Sequence, residues 1–118
     1  MSATAYFEQA IQALQSVRDT QVEAIRAAAG LLVNAIQSGQ SLYSFGASHS
    51  FILTEEMVYR AGGLMLINPV YPHGMNLSVR PLTGTSRLER LPGLGAELLE
   101  NAPARSGDVL ILASVSGR

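Results

Sequence analysis

Three short segments rich in apolar residues constrain the fold of this chain more than any other feature. They are 41–45 (SLYSF), 64–67 (LMLI) and 108–113 (DVLILA), and each is followed by small or turn-forming residues. Continuous apolar runs of this length are typical of parallel strands that are covered on both faces. The segments therefore predict an α/β protein with a parallel sheet flanked by helices.

Helices are predicted on both sides of the first strand. Residues 4–37 contain no proline and only one glycine, Gly30, and their apolar residues recur at helical spacing. Asp19-Thr20 is a candidate break between two helices, and Gly39 is a candidate stop. We therefore expect residues 1–39 to form a helical lead-in.

The remaining residues, 41–118, are predicted to form a core of the βαβ type. A helix is expected over 51–61, where it joins the first two strands in one right-handed parallel crossover, and a second, short helix over 91–101. Residues 68–90 hold three prolines and no sustained periodicity. Such a length indicates a functional lid or a partner surface, or else a poorly packed connection.

The composition narrows the class of protein. With 118 residues, 47% of them hydrophobic and 14% charged, the chain suits one well-buried domain over residues 1–118. Its formal charge of −1 provides no broad cationic field, so we expect neither nucleic acid nor a membrane surface as a partner.

Several chemistries are excluded by residue types that the chain lacks. All eight cationic residues are arginine, which excludes a Schiff-base lysine and a Walker-type phosphate loop. There is no cysteine, and two histidines far apart in sequence make a poor metal site. Neither an export leader nor a membrane span is visible. A cytoplasmic protein without metal or cofactor is expected.

The last predicted strand has little sequence after it. Only five residues follow 108–113, yet a parallel strand rich in Val, Ile and Leu needs a helix to cover its face. We therefore expect the domain to be incomplete and the chain to be a fragment of a longer protein. The alternative is a complete small domain whose open face is covered by a partner subunit.

The segment SFGASHS is the clearest candidate for a binding loop. Here a strand reaches Gly46, small polar residues follow, and a helix begins at Phe51. Such a junction directs backbone N–H groups at one point, and Ser48 and Ser50 add hydroxyl donors for a phosphate. Alternatively, Gly46 only makes a turn and the serines only cap the helix.

A similar group of small residues follows the last strand. Ser114, Ser116 and Gly117 come directly after it. Ligands of open α/β sheets bind beyond the carboxyl ends of the strands. The two Ser/Gly loops are therefore expected to converge on one site.

In these segments the chain resembles the amino-terminal part of a SIS (sugar isomerase) domain. The resemblance is carried by SLYSFGASHS, FILTEEMVYRAGG, LMLI and DVLILASVSG. It implies a three-layer sandwich of sheet and helices, a homodimer, and a sugar-phosphate ligand. By this resemblance Gly46 and Ser50 match the first phosphate loop, which also contains Ser48. The second loop is matched by Ser114, Ser116 and Gly117.

The resemblance does not extend to the base that several catalytic members use. That glutamate lies ten residues after the phosphate-loop serine, where this chain has Arg60. Glu55 and Glu56 remain weak candidates, since adjacent acids on a helix are usually solvated. His49 is a third candidate, because an imidazole can donate to a phosphate or sugar oxygen, or it is simply exposed.

Four other charged side chains lie in or near the long connection. His73 is expected on the surface. Arg80, Arg87 and Arg90 carry guanidinium groups that suit phosphate, although a solvated surface is the simpler interpretation.

Three functions follow from these residues. The first is a phosphosugar-binding or sensing module. The second is a sugar-phosphate isomerase or lyase, and the third is a helical dimerisation domain without a ligand.

Overall fold

The computed structural model describes residues 2–115 and Gly117. These residues fall into two compact units, whose boundary lies between Asn34 and Ala35. The described part of the chain holds five α-helices and three strands, with one 3₁₀ turn (Ser48–Ser50) between the first strand and the third helix. In chain order the elements are α1 (Ala3–Thr20), α2 (Val22–Gln37), β1 (Leu42–Gly46), α3 (Phe51–Met57), β2 (Ile67–Pro69), α4 (Thr83–Leu88), α5 (Leu94–Glu100) and β3 (Val109–Ala113).

The two long helices begin and end where the local sequence indicates. The hydroxyl of Ser2 accepts a hydrogen bond from the amide of Ala5 at 3.2 Å and so caps α1. The predicted break near Asp19-Thr20 is confirmed, because α1 ends at Thr20 and α2 begins at Val22. The chain leaves α2 through Gly39, whose φ of 71° favours glycine.

The sheet is parallel and has β1 at its centre, with β2 on one side and β3 on the other. Leu42 lies opposite Ile67 in one neighbouring strand and Val109 in the other. Helix α3 contacts all three strands. The predicted α/β fold with a parallel sheet flanked by helices is confirmed.

A buried pair of hydroxyl groups joins the sheet to α3. Ser44 of β1 and Thr54 of α3 are both completely buried, and their hydroxyl oxygens are 2.8 Å apart. Phe51, on the same helix, is also buried, and its ring centroid lies 5.6 Å from that of Tyr71. Because buried hydroxyls are costly without a partner, this bond favours one position of α3 on the sheet.

Asp108 joins the beginning of β3 to the chain just before β1. Its carboxylate accepts hydrogen bonds from the amides of Ser41 and Arg105, both at 2.8 Å. The amide of Val109 in turn donates to the carbonyl oxygen of Ser41 at 3.0 Å. The amide of Ser41, followed by that of Arg105, stabilises the ionised carboxylate and lowers the pKa of Asp108.

Replacing Asp108 with asparagine is expected to destabilise the protein in a pH-dependent way. The folded-state pKa lies below the unfolded value, so the carboxylate's contribution is complete above the unfolded pKa of about 3.9. It is lost as the pH falls through the folded pKa. The difference in urea midpoint between the wild type and Asp108→Asn should therefore be constant at neutral pH and narrow below about pH 4.

The control for this experiment is Asp19→Asn, at the only other aspartate of the sequence. Asp19 forms an exposed ion pair with Arg18, and such pairs contribute little to stability. A midpoint difference for Asp108→Asn that stays constant down to pH 3 would contradict the proposed role of its charge.

The helix predicted over 51–61 is shorter than expected. Helix α3 ends at Met57, and Tyr59 then adopts a φ of 50°. The chain returns at Gly63, where a β-carbon would lie 2.7 Å from the carbonyl oxygen of Met57. The amide of Leu64 caps that carbonyl at 2.9 Å. The close approach at Gly63 thus lets the chain end the helix a turn early.

The strand predicted over 64–67 was placed too early in the sequence. Strand β2 is Ile67–Pro69, and only Ile67 of the predicted run belongs to it and is buried. Leu64, Met65 and Leu66 are exposed, Met65 to 91%. A short apolar run shows no periodicity that could locate the strand within it, and pairing with β1 decides its register.

The predicted irregular connection over 68–90 contains secondary structure. It contains α4, which was missed, while the helix predicted over 91–101 is confirmed as the shorter α5. Buried residues lie along this segment, among them Val70, Pro72, Met75 and Thr85. Much of the segment therefore packs against the domain.

Candidate functional site

The first loop leaves the carboxyl end of β1 at Gly46 and returns against that strand end. A β-carbon at Gly46 would lie 2.5 Å from the carbonyl carbon of Ser50 and 2.8 Å from the amide nitrogen of Phe51. Both are backbone atoms, so no side-chain rotation can make room. The sequence Gly-Ala-Ser-His-Ser therefore forms a tight loop that depends on glycine at its first position.

The middle of the first loop is held in an unusual conformation. Ser48 has a φ of 52°, in the left-handed region that L-residues other than asparagine and aspartate rarely occupy. Its amide donates to the carbonyl oxygen of Met75 at 2.8 Å. Backbone strain of this kind clusters at ligand-binding loops and active sites.

The backbone amides of the first loop are less available than the sequence suggested. The amide of Ser50 donates to the carbonyl oxygen of Ala47 at 3.0 Å, and that of Phe51 donates back to Ser48. With the Ser48 amide, three N–H groups are used inside the fold. Within the described chain, the amides of Ala47 and His49 donate to no other residue. The side chains of Ser48 and Ser50 are half-buried, and His49 is exposed.

The second loop follows the carboxyl end of β3. Ser114 is exposed, and its hydroxyl oxygen accepts a hydrogen bond from the amide of Gly117 at 2.9 Å. The hydroxyl proton of Ser114 is therefore left to serve as a donor. Gly117 has a φ of 68°, which favours glycine. Ser116, a predicted binding residue, lies outside the described residues.

Both loops line the same cleft at the carboxyl edge of the sheet. The cleft has a volume of about 560 Å³. Residues 47–50 of the first loop lie on it, as do Ser114 and Val115 of the second. The two loops meet because their strands are parallel neighbours, with Gly46 opposite Ala113 in the register.

The rest of the cleft lining comes mainly from the end of α4, the turn after it, and α5. It is mainly apolar, with the charged residues Glu89 and Arg90 at the turn. That α5 lines the site could not be predicted from local patterns, because this wall depends on contacts between distant segments. The apolar residues of the wall are Leu88, Leu91, Leu94 and Leu98.

A known protein family matches the sequence that forms these elements. The family model of the SIS domain matches residues 5–118, which is nearly the whole chain. The chain belongs to the SIS domain family. Its resemblance to this family, inferred from the loops and strands, is confirmed. Family membership associates the domain with phosphosugar binding or a related function.

Curated relatives of this SIS domain are bacterial proteins named UPF0309. A UPF0309 protein of Shouchella clausii is 49% identical over 113 residues, which are 96% of this chain and 46% of the relative. One from Streptomyces avermitilis is 44% identical over 117 residues, 98% of this chain and 47% of the relative. One from Oceanobacillus iheyensis is 43% identical over 113 residues, which are 96% of this chain and 46% of the relative. The chain thus spans about half the length of these relatives.

The acidic candidates of the SIS domain lie outside the large cleft. Glu56 forms an exposed ion pair with Arg60, four residues further along the chain. Glu55 is also exposed and lines a separate, smaller hollow of about 150 Å³, together with Tyr71 and Asn76. His49 is the member of the predicted catalytic set that lies on the large cleft.

Of the other predicted polar residues of the SIS domain, one lines the cleft and the rest lie elsewhere on the surface. His73 and Arg87 are exposed and lie on neither the cleft nor the smaller hollow. Arg80 donates hydrogen bonds to the carbonyl oxygens of Leu77 and Val79. Arg90 is exposed, as expected of a solvated loop residue, and it also lines the cleft.

Among the described residues, no three His, Cys, Asp or Glu side chains come together as metal ligands would. Over the same part of the chain, no helix has the length and apolar character needed to cross a membrane.

Proposed function

We propose that this SIS domain binds a phosphorylated sugar in the cleft at the carboxyl ends of β1 and β3, as a binding or sensing module. One observation carries the proposal: the loops that follow two neighbouring parallel strands line a single cleft. In open α/β sheets, ligands bind beyond the carboxyl ends of the strands. Gly46, which permits the first loop to close, lies at that edge.

The phosphate is proposed to bind between the two loops. Ser48 and Ser50 supply hydroxyl donors from the first loop, and Ser114 supplies one from the second. The amides of Ala47 and His49 add backbone donors. These groups can surround a phosphate without lysine, which the sequence lacks.

The sugar is proposed to extend from the loops toward the wall formed by α5. The cleft volume of about 560 Å³ falls within the range of ordinary small-molecule sites. Its four leucines provide an apolar surface, and His49 and Glu89 provide polar groups for sugar hydroxyls. This combination of an apolar surface with a few polar groups is typical of ligand sites.

Binding or sensing is proposed in preference to turnover because Glu55 and Glu56, the two carboxylates predicted as candidate bases, lie outside this cleft. A base for isomerisation or β-elimination must reach an acidic C–H of the bound sugar. Glu56 is paired with Arg60, and Glu55 faces a different hollow. An isomerase or lyase would exchange a sugar C–H proton with solvent deuterium, and we expect no exchange.

Calorimetric titration tests the proposal. A panel of hexose and heptose phosphates is titrated into the protein beside the same sugars without phosphate. We expect phosphate-dependent binding that Ser50→Ala weakens about 10-fold or more, since hydrogen bonds to charged groups contribute about 1.5–3 kcal/mol. Ser16→Ala, on the exposed surface of α1, is the matched control and should bind like the wild type.

Two outcomes of that titration would contradict the proposal. One is a folded protein that binds no sugar phosphate. The other is a protein that binds the sugars equally well with and without phosphate.

Assembly as a homodimer in the cytoplasm belongs to the same proposal. Helix α1 exposes apolar side chains at helical spacing, Phe7, Ile11 and Leu14 among them, and a partner subunit would bury them. Sedimentation equilibrium measures the assembly, and a monomer at micromolar concentration would contradict the dimer.

A further inference from the structure

We propose that Arg90 binds the phosphate of the ligand and supplies the positive charge that the two Ser/Gly loops lack. This inference rests on the proposed function, since it concerns the same ligand. Arg90 lies on the turn after α4 and lines the cleft together with Ser48, Ser50 and Ser114. The two Ser/Gly loops and Arg90 therefore face one space.

The loops themselves offer only neutral donors. Ser48, Ser50 and Ser114 supply hydroxyls, and two backbone amides add N–H groups. Glu89 brings a negative charge to the same cleft, which acts against binding an anion. The guanidinium of Arg90 is the permanent positive charge among the lining residues of the described chain. A guanidinium can donate two parallel hydrogen bonds to a phosphate.

Arg90, like Arg87 and Arg105, has no partner for its guanidinium within the described part of the chain. Within the described residues, its guanidinium forms no ion pair with any carboxylate. An unpaired guanidinium beside neutral donors can bind an anion without first breaking an ion pair. The arginines with partners are Arg18 (Asp19), Arg26 (Glu23), Arg60 (Glu56) and Arg80 (backbone carbonyls).

The backbone that carries Arg90 is held by local hydrogen bonds. The amide of Arg90 donates to the carbonyl oxygen of Arg87 at 3.2 Å, and that of Leu91 donates to Leu88 at 3.0 Å. Thr85, one turn earlier, is buried, and its carbonyl oxygen accepts from the amide of Glu89 at 3.0 Å. The backbone conformation of the turn that carries Arg90 is therefore well defined.

The same turn packs against Gly74, next to the residue that accepts a hydrogen bond from the first loop. A β-carbon at Gly74 would lie 2.7 Å from the Cδ1 atom of Leu88, so these residues are in close contact. Met75, the next residue, is buried and accepts the hydrogen bond from the amide of Ser48. A short series of contacts thus sets the position of Arg90 relative to the phosphate loop.

Phosphorus-31 NMR with inorganic phosphate as the probe tests this proposal, because it needs no knowledge of the sugar. We expect Arg90→Gln to weaken phosphate binding about 10- to 100-fold, as loss of a charge-assisted contact predicts. Arg90→Lys should retain part of the affinity, since it keeps the charge but loses the planar fork. Arg87→Gln, one helical turn away and exposed, is the control and should match the wild type.

Salt dependence separates a charge contact from a structural role. Wild-type affinity should fall as sodium chloride is added, and Arg90→Gln should show a shallower dependence, whereas Arg90→Lys should keep the wild-type slope. If the wild type binds phosphate and Arg90→Gln shows the same affinity and salt dependence as Arg87→Gln, Arg90 does not bind the phosphate. The proposed function would still stand. A folded wild type that binds neither phosphate nor any sugar phosphate would overturn both.

Discussion

Gly46→Ala is expected to destabilise the protein by about 1–3 kcal/mol and to abolish phosphate-dependent binding. The added β-carbon would lie 2.5 Å from the carbonyl carbon of Ser50, and also too close to the amide of Phe51. Backbone atoms can move away only if the loop moves with them. The variant must therefore open the first loop, which shifts Ser48 and Ser50 away from the cleft. Urea unfolding and calorimetric titration measure the two effects.

Gly30→Ala is the matched control, with an expected effect of opposite sign. Gly30 lies within α2, and a β-carbon there would meet no atom within 4 Å. Alanine is a better helix former than glycine by about 1 kcal/mol, so this variant should be as stable as the wild type or more stable. If Gly46→Ala unfolded at the wild-type urea concentration and bound ligand normally, the close approach would not be essential.

Leu42→Ala is expected to cost about 2–5 kcal/mol of unfolding free energy. Leu42 is 1% exposed and lies in the central strand, opposite Ile67 on one side and Val109 on the other. Removing its side chain leaves a cavity at the centre of the sheet, where neighbouring strands limit collapse. The measurement is the free energy of unfolding from urea titration.

Leu112→Ala provides the comparison for Leu42→Ala within the same sheet. Leu112 lies in β3 and is 67% exposed, so truncation should change the unfolding free energy by less than about 1 kcal/mol. Equal losses for the two variants would mean that burial in the central strand does not determine the stability of this domain.

The parts of the fold that could be predicted are those with a local signal. Strands β1 and β3 are short apolar runs that end at glycine or at small polar residues, and both were located to within a residue or two. The helical pattern over 4–37 and its break were equally clear. The position of Gly46 at the strand end followed from the same reasoning, because a strand, a glycine and a helix in succession leave few possible conformations.

What could not be predicted depends on contacts between distant residues. Strand β2 is set by pairing of Ile67 with Leu42, and the apolar run before it contains no signal for that register. The position of Arg90 depends on the packing of Leu88 against Gly74, fourteen positions earlier in the chain, an arrangement with no periodic signature. The hydrogen bond from the Ser48 amide to Met75 is of the same kind.

The two edges of the described sheet differ in a way that matters for handling the protein in solution. On one edge β2 has three residues and ends in proline, which cannot donate a hydrogen bond to a further strand. On the other, β3 is five residues of uninterrupted Val, Leu, Ile and Ala. An apolar edge strand without proline or charged residues is a template for intermolecular pairing. Aggregation of this chain, if it occurs on storage or on concentration, should therefore begin at β3.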